Sequence, residues 1–219
     1  MFEEKKMEIK TFYFNPLREC CYVVWDVSGA CVIVDPGCYG PREFQRLKDF
    51  VEDKGLKPEK ILLTHGHFDH TLGLEATARC WGLDVWLHPA DREQLTQSGE
   101  WCRQLGLAFT PYTGRLRVLA DGDVLSFGES SLTVIATPGH TQGGVCFYNA
   151  DEGVLFSGDT LFAGSIGRTD HPGGDYDQLI ESIGRKILPL DGDVSVLPGH
   201  GPATTVGYER VTNPFLQSA

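Results

Sequence analysis

Thr64-His65-Gly66-His67-Phe68-Asp69-His70 follows an apolar run, Lys60 to Thr64, that reads as a β-strand, and it leads into a segment of helical periodicity. On extended backbone just past a strand, alternate residues share a side, so His65 and His67 turn their imidazoles the same way. Asp69 and His70 then project from the turn into the following helix, close enough to hold a second ion beside a first. Imidazole nitrogen with carboxylate oxygen is a donor set for zinc and comparable divalent metals. The bland alternative is a trio of surface histidines at a helix cap, with Asp69 accepting from backbone N–H groups. By itself the motif supports a metal site and no more.

Three further segments put a polar side chain directly after a strand. His140 lies in Thr137-Pro138-Gly139-His140-Thr141, after Leu132 to Ala136. Asp159 lies in Ser157-Gly158-Asp159-Thr160, after Val154-Leu155-Phe156, and His200 in Leu197-Pro198-Gly199-His200-Gly201-Pro202. Each has an ordinary reading, since a lone post-strand histidine is usually structural and aspartate is a common turn residue. A carboxylate, however, has two oxygens and can bridge two metals. Five of the seven histidines and two aspartates fall at four strand-end loops, which chance clustering does not explain. His88, before Pro89, and His171, in Asp170-His171-Pro172-Gly173-Gly174, are read as non-ligands; of the two, His171 is the one able to touch substrate from a mobile lip.

Around these segments the chain alternates between strand and helix signals. Apolar and β-branched runs at Thr11 to Phe14, Cys21 to Trp25 and Cys31 to Val34, separated by Ser28-Gly29 and Asp35-Pro36-Gly37, predict short adjacent strands. Pro41 at a first helical position, Phe44, Leu47, Phe50 and Val51 at helical spacing, and Gly55 as a stop predict an amphipathic helix. A helix from about Asp69 to Trp81, closed by Gly82, and a strand at Leu83 to Leu87 follow. Short strands return from Arg115 to Phe156, with turns at Asp121-Gly122 and Asp151-Glu152-Gly153. A helix around Tyr176 to Ile187, a strand at Val194 to Leu197 and a helical segment near Thr204 to Val211 complete the order. No linker or repeat interrupts it. This predicts one α/β domain over residues 1–219 and suits two sheets face to face with helices outside, a topology that periodicity alone does not fix.

A chain of 219 residues can bury a substantial core in one domain. Its formal charge of −11 repels phosphate backbones and argues against nucleic-acid partners. A small anionic substrate remains compatible, because a pair of divalent metals inverts the potential inside a pocket. Seven cysteines with no Cys-x-x-Cys pair and an odd total argue against a disulfide framework. The charged start, Met1 to Met7, has no apolar signal region behind it, and no stretch is long enough to span a membrane, which predicts a cytoplasmic enzyme. Met7 is an alternative start that would make the first six residues a dispensable leader.

Taken together, the four ligand segments resemble the metallo-β-lactamase superfamily, whose pattern of His-x-His-x-Asp-His, a distant His, a bridging Asp and a final His covers Thr64 to Pro202. The resemblance implies a four-layer αβ/βα sandwich. It also implies one metal held by His65, His67 and His140, another by Asp69, His70 and His200, and Asp159 between them. Within the superfamily, Ser157-Gly158-Asp159-Thr160-Leu161-Phe162 and Gly164-Ser165-Ile166-Gly167-Arg168-Thr169-Asp170 look most like the glyoxalase II, or hydroxyacylglutathione hydrolase, branch. Relatives there place a basic residue where Arg168 stands, against the thiol-bearing half of the substrate. Arg168 is accordingly a candidate to anchor a carboxylate bidentately; its ordinary reading is a surface arginine paired with Asp170. Full-length glyoxalase II enzymes carry a carboxy-terminal helical domain that completes the glutathione site, whereas 17 residues follow Pro202 here, as in shorter, single-domain relatives. Cys20-Cys21 stands where such relatives often have Asn-Cys.

The expected cofactors are two divalent ions, zinc first, with iron or manganese as substitutes. Such a pair shares a water and lowers its pKa toward neutrality, giving a bridging hydroxide. The expected reaction is attack of that hydroxide on a small-molecule thioester, with Asp69 as ligand and orienter and Asp159 as bridge. The rival is a persulfide dioxygenase, a related branch that uses a single iron held by the equivalents of His65, His140 and Asp159. A β-lactamase would require export, a nuclease conflicts with the charge, and a flavodiiron-type oxygen reductase would want a carboxylate at His67. A purely structural zinc site would be closed and four-coordinate.

Overall fold

The computed structural model describes residues 7–217, so the suggested leader of six residues lies outside the described range. The first sheet runs β1 (Met7–Phe14), β2 (Glu19–Asp26), β3 (Ala30–Val34), β4 (Lys57–Leu62), β5 (Val85–Leu87) and β6 (Leu116–Val118), neighbours in space as in sequence. Short turns make β1 to β3 an antiparallel meander. From β3 onward the strands are parallel, because each connection carries helix across one face of the sheet. These crossovers are α1 (Gly40–Asp53), the pair α2 (Phe68–Thr71) and α3 (Leu74–Trp81), and α4 (Arg92–Gln104).

The second sheet begins as an antiparallel meander of β7 (Val124–Phe127), β8 (Ser130–Ala136), β9 (Val145–Asn149) and β10 (Val154–Gly158). A small hairpin of β11 (Leu161–Phe162) and β12 (Ser165–Ile166) follows. Then come α5 (Tyr176–Ser182), which runs into a π-helical turn at Ile183–Ile187, and β13 (Ser195–Pro198), parallel to β10. β14 (Thr204–Thr205) and α6 (Val206–Thr212) close the chain.

Side chains alternate across each strand and so sort themselves into three cores. On β2, Cys21, Val23 and Trp25 pack against Leu47 and Val51 of α1, Leu74 and Ala78 of α3, and Leu95 of α4. Tyr22 and Val24 face the other way, meeting Phe127, Val134, Phe147 and Phe156 between the two sheets. Cys146, Leu155 and Val196 leave the far side of the second sheet and bury Leu179, Ile183 and Val206. The result is helix, sheet, sheet, helix, the predicted four-layer α/β sandwich. A polar clasp joins the sheets at one end, where buried Asp26 accepts the amide and hydroxyl of Ser28 and the amide of Glu129 in the β7–β8 turn.

Two expectations change. The helix expected from Asp69 to Trp81 is broken into α2 and α3 at Leu72-Gly73. There the chain presses so closely on the β3–α1 loop that a Cβ on Gly73 would overlap Cys38 Sγ and stand 2.8 Å from the Cys38 carbonyl oxygen. Helix α4 was not anticipated from sequence. Its buried stripe is only Leu95, Ser98 and Cys102, a weak apolar period. Among the described residues, no helix is long and apolar enough to cross a membrane.

Candidate metal centre

The loops after β4, β8, β10 and β13 meet along one edge of the sandwich and bring their polar side chains together. His65, His67 and His140 present ligand atoms within 4.8 Å of one another, and so do Asp69, His70 and His200. Asp159 lies between the groups: its Oδ2 is 3.6 Å from His140 Nε2 and 3.8 Å from His200 Nε2, and its Oδ1 is 3.4 Å from His70 Nε2. All seven sequence-predicted ligand residues are thus brought to one place. A third grouping, Asp35 with His65 and His70, overlaps the other two.

Local contacts explain why the loops converge. The amide of Val145 donates to the Thr64 carbonyl oxygen at 2.8 Å, which stitches the His65 loop to β9. Tyr22 donates its hydroxyl to Pro198 O at 2.6 Å, and the Cys20 amide donates to Gly199 O at 2.7 Å, so β2 holds the His200 loop. This main-chain bond accounts for the placement of Cys20-Cys21, and the Cys20 thiol donates to Gly201 O at 3.8 Å in the same loop. All seven cysteines are unpaired.

Residues that sequence reading missed support the ligands from behind. Asp35, taken only as part of a turn, accepts the Thr64 amide at 2.8 Å, the Thr64 hydroxyl at 2.6 Å and His70 Nδ1–H at 3.0 Å. Asp91 accepts the amides of Gly66 at 2.8 Å and Gly143 at 2.6 Å, and the Thr141 hydroxyl at 2.8 Å, locking the His67 and His140 loops to the start of α4. His140 donates Nδ1–H to the backbone oxygen of Arg168 at 2.7 Å, fixing the tautomer that leaves Nε2 toward Asp159. Glu19 forms an isolated bridge with His200. Its carboxyl has no hydrogen-bond partner among the described residues, and burial pushes it well above the ordinary range.

The field inside the site suits cations. Burial, and after it the neighbouring His140, pushes His67 down to about 3; burial also lowers His65 and His140. Burial thus favours the neutral form of all three imidazoles, the form a nitrogen ligand takes. Burial opposes charge on His70 as well, but Asp69, Asp159 and Asp35 outweigh it and raise His70 well above its ordinary value. Burial likewise works against ionisation of Asp159, and the imidazoles of His70, His140 and His200 overcome it, holding the carboxylate far below the usual range. The residues fit metal on a separate, geometric count: His65 Nε2, His70 Nε2 and Asp159 Oδ1 are buried without a hydrogen-bond partner among the described residues, and buried polar atoms are rarely left so. Gly199 completes the cradle, since a Cβ there would overlap Asp159 Oδ1 and stand 2.7 Å from His70 Cε1.

The cluster opens into a cavity of about 480 Å³, walled by Leu17, Phe68, Trp101, Phe162 and Ile166 with Gln94 and Gln97 on α4. Arg168 stands at the mouth, exposed, with its fork on Asp170 at 2.7 and 3.0 Å. His171 lines the cavity as well; its ring centroid is 4.7 Å from that of His67 and 4.9 Å from that of His140. The turn-rich sequence around His171 gives no sign of that proximity. His88 instead caps the short 3-10 turn at Pro89–Asp91, accepting from the Ala90 amide.

A fold of this kind, with a His and Asp cluster suited to a dinuclear metal site at the strand ends, defines a metallo-hydrolase. The metallo-beta-lactamase superfamily model matches residues 16–207, and the chain belongs to that superfamily. It is 35% identical to the hydroxyacylglutathione hydrolase GloC of Haemophilus influenzae, over 97% of this chain and 99% of the relative. Among solved structures, BLEG-1 B3 metallo-beta-lactamase is similar at 38% identity and a TM-score of 0.88, covering 96% of this chain and 100% of the other. TTHA1623, in a di-iron-bound form, is similar at 39% identity and a TM-score of 0.85, covering 94% and 100%.

Proposed function

We propose that this protein is a thioester hydrolase of the glyoxalase II type, in which two groups of ligands that meet at Asp159 would hold two divalent ions. The observation that carries this reading is the convergence of two ligand groups on one buried carboxylate. His65, His67 and His140 would hold one ion, and Asp69, His70 and His200 the other. Nitrogen and oxygen donors in these numbers suit zinc, and iron or manganese as substitutes. When bound, the pair of ions supplies a water acidified toward neutrality and a Lewis acid for a carbonyl.

The chain's own residues do the rest. Asp69 Oδ2 lies 3.1 Å from His200 Nε2 and 3.8 Å from His70 Nε2, and the Leu17 carbonyl oxygen, 3.2 Å from His200 Nδ1, is placed to accept the other ring N–H and leave Nε2 free as a ligand. Phe68, Trp101 and Phe162 shield the reacting carbonyl from bulk water. A departing thiolate, with a free pKa of about 8.5, leaves without obligatory protonation, so the reaction requires no dedicated acid. Arg168 is poised to exchange Asp170 for a carboxylate of the thiol carrier, an exchange that costs little because exposed ion pairs contribute only about 0–1 kcal/mol. The likeness to the Haemophilus influenzae hydrolase supports the thioester as substrate class.

The test is a hydrolysis screen of lactoyl-glutathione and other thioesters on metal-replete protein, beside an oxygen electrode with glutathione persulfide. Thiol release without oxygen uptake is expected. Oxygen uptake with no thioester cleavage would instead assign the persulfide dioxygenase reaction, for which His65, His140 and Asp159 are also in place.

A further inference from the structure

We propose that the face of α4 bearing Gln94, Gln97 and Trp101 is the wall that recognises the thiol half of the substrate, and that it reads secondary amides rather than charge. This rests on the thioester reading of the same site. The three residues stand at i, i+3 and i+7, hence on one side of the helix, and all three line the cavity that holds His67, Asp159 and His200.

The helix is set rigidly against the metal loop. Ser98, on the same helix, donates its hydroxyl to Gly66 O at 3.0 Å, and Asp91, at the mouth of the helix, accepts the Gly66 amide at 2.8 Å. Gly66 lies between His65 and His67, so α4 cannot shift without moving the ligand loop. Leu95 anchors the opposite side of the helix in the core. A wall fixed in this way is preorganised for one distance from the reacting carbonyl.

Its chemistry is neutral and two-sided. The Gln94 amide has no hydrogen-bond partner among the described residues, although it lines the cavity. Gln97 spends one N–H on Glu93 at 3.0 Å, which leaves its carbonyl oxygen and second N–H for a ligand. A carboxamide donates and accepts at once, matching the C=O and N–H of a secondary amide. Trp101 is 37% exposed despite its size, a large apolar face at the cavity rim of the kind that anchors ligands.

Thiol carriers of two sources offer the matching group. Glutathione-type and pantetheine-type arms each carry an amide nitrogen two carbons from sulfur, and a simple alkanethiol does not. The wall therefore selects amide-bearing thioesters over amide-free ones with the same acyl group.

The experiment measures kcat and KM for the lactoyl thioesters of glutathione, pantetheine and 2-mercaptoethanol on metal-replete protein. It compares wild type with Gln94→Leu, Gln97→Leu and Trp101→Ala, each at a surface-facing helical position. Calorimetry with S-methylglutathione and S-methylpantetheine, which carry no free thiol for a metal, measures the arm alone. Wild type is expected to favour at least one amide-bearing carrier, and Gln94→Leu to reduce that preference about three- to tenfold, chiefly through KM, in line with the loss of one or two hydrogen bonds. Whichever S-methyl arm binds identifies the source. An undiminished preference in Gln94→Leu and Gln97→Leu, or no preference in wild type, would overturn the proposal. If no thioester is cleaved, the thioester reading fails, and binding still decides the wall: tighter binding of an S-methyl arm to wild type than to Gln94→Leu upholds it, and equal or absent binding overturns it.

Discussion

His70 Nδ1 lies 3.0 Å from Asp35 Oδ2, and both side chains are almost wholly buried. The same carboxylate takes the amide and hydroxyl of Thr64, so one residue orients His70 and fixes the backbone that leads into His65. Asp35→Asn retains the shape but removes the charge that fixes the His70 tautomer. Metal affinity of the group formed by Asp69, His70 and His200 is expected to fall about 10- to 100-fold, the usual effect of losing such a supporting partner, as read by competition with a chromophoric chelator. Unaltered affinity would show that His70 needs no help from Asp35.

Asp91 gathers three donors, the amides of Gly66 and Gly143 and the Thr141 hydroxyl. Asp91→Ala leaves all three without an acceptor in a buried place. Unfolding in urea is expected to show a loss of about 3 kcal/mol or more, since each bond to a charged group is worth about 1.5–3 kcal/mol. A loss below about 1 kcal/mol would mean that water replaces the carboxylate freely.

Gly199 approaches Asp159 Oδ1 and His70 Cε1 too closely for any side chain. Gly199→Ala is predicted to fold, because the added methyl meets the ligand side chains Asp159 and His70 rather than one of the apolar cores, but to carry markedly less metal per chain by elemental analysis. Full metal content with wild-type thiol release would contradict the close packing of that loop.

Asp26 supplies a pH dependence remote from the ligands. Burial opposes its ionisation, but the Ser28 hydroxyl and the amides of Ser28 and Glu129 outweigh it and hold the carboxyl below its ordinary value. The folded state therefore prefers the charged form. That stabilisation is complete above the unfolded pKa of about 3.9 and disappears as pH falls through the lower, folded value. Urea midpoints measured from pH 6 to pH 3 should drop less steeply below pH 4 in Asp26→Asn than in wild type, from a lower starting stability. Parallel acid limbs would remove Asp26 from the account.

Much of the site was legible because its chemistry is rare in sequence. Histidines and aspartates directly after four strands share an edge only where those strands run the same way, as β8, β10 and β13 do, and His65 through His70, His140, Asp159 and His200 meet there. The order of strand and helix periods suited two sheets with helices outside, and the resemblance carried by the ligand segments implied the four layers. Supporting residues were not, because an aspartate that accepts three hydrogen bonds looks in sequence like any turn aspartate; Asp35 and Asp91 acquire their roles only when distant loops close on them. Gly73 breaks a continuous helical pattern for a reason that lies in Cys38, 35 residues earlier. Helix α4 hides because it buries one narrow stripe and turns Gln94, Gln97 and Trp101 to the cavity.

The central claim is that the two ligand groups meeting at Asp159 would hold two ions and that thioester cleavage requires both. The direct measurement is thiol release from lactoyl-glutathione and the other thioesters as divalent metal is added back to metal-free protein, with Asp159→Ala alongside. Release is predicted to climb until two ions are bound per chain and to be nearly absent in Asp159→Ala. Full activity with a single ion bound, or equal activity in Asp159→Ala and wild type, would contradict it.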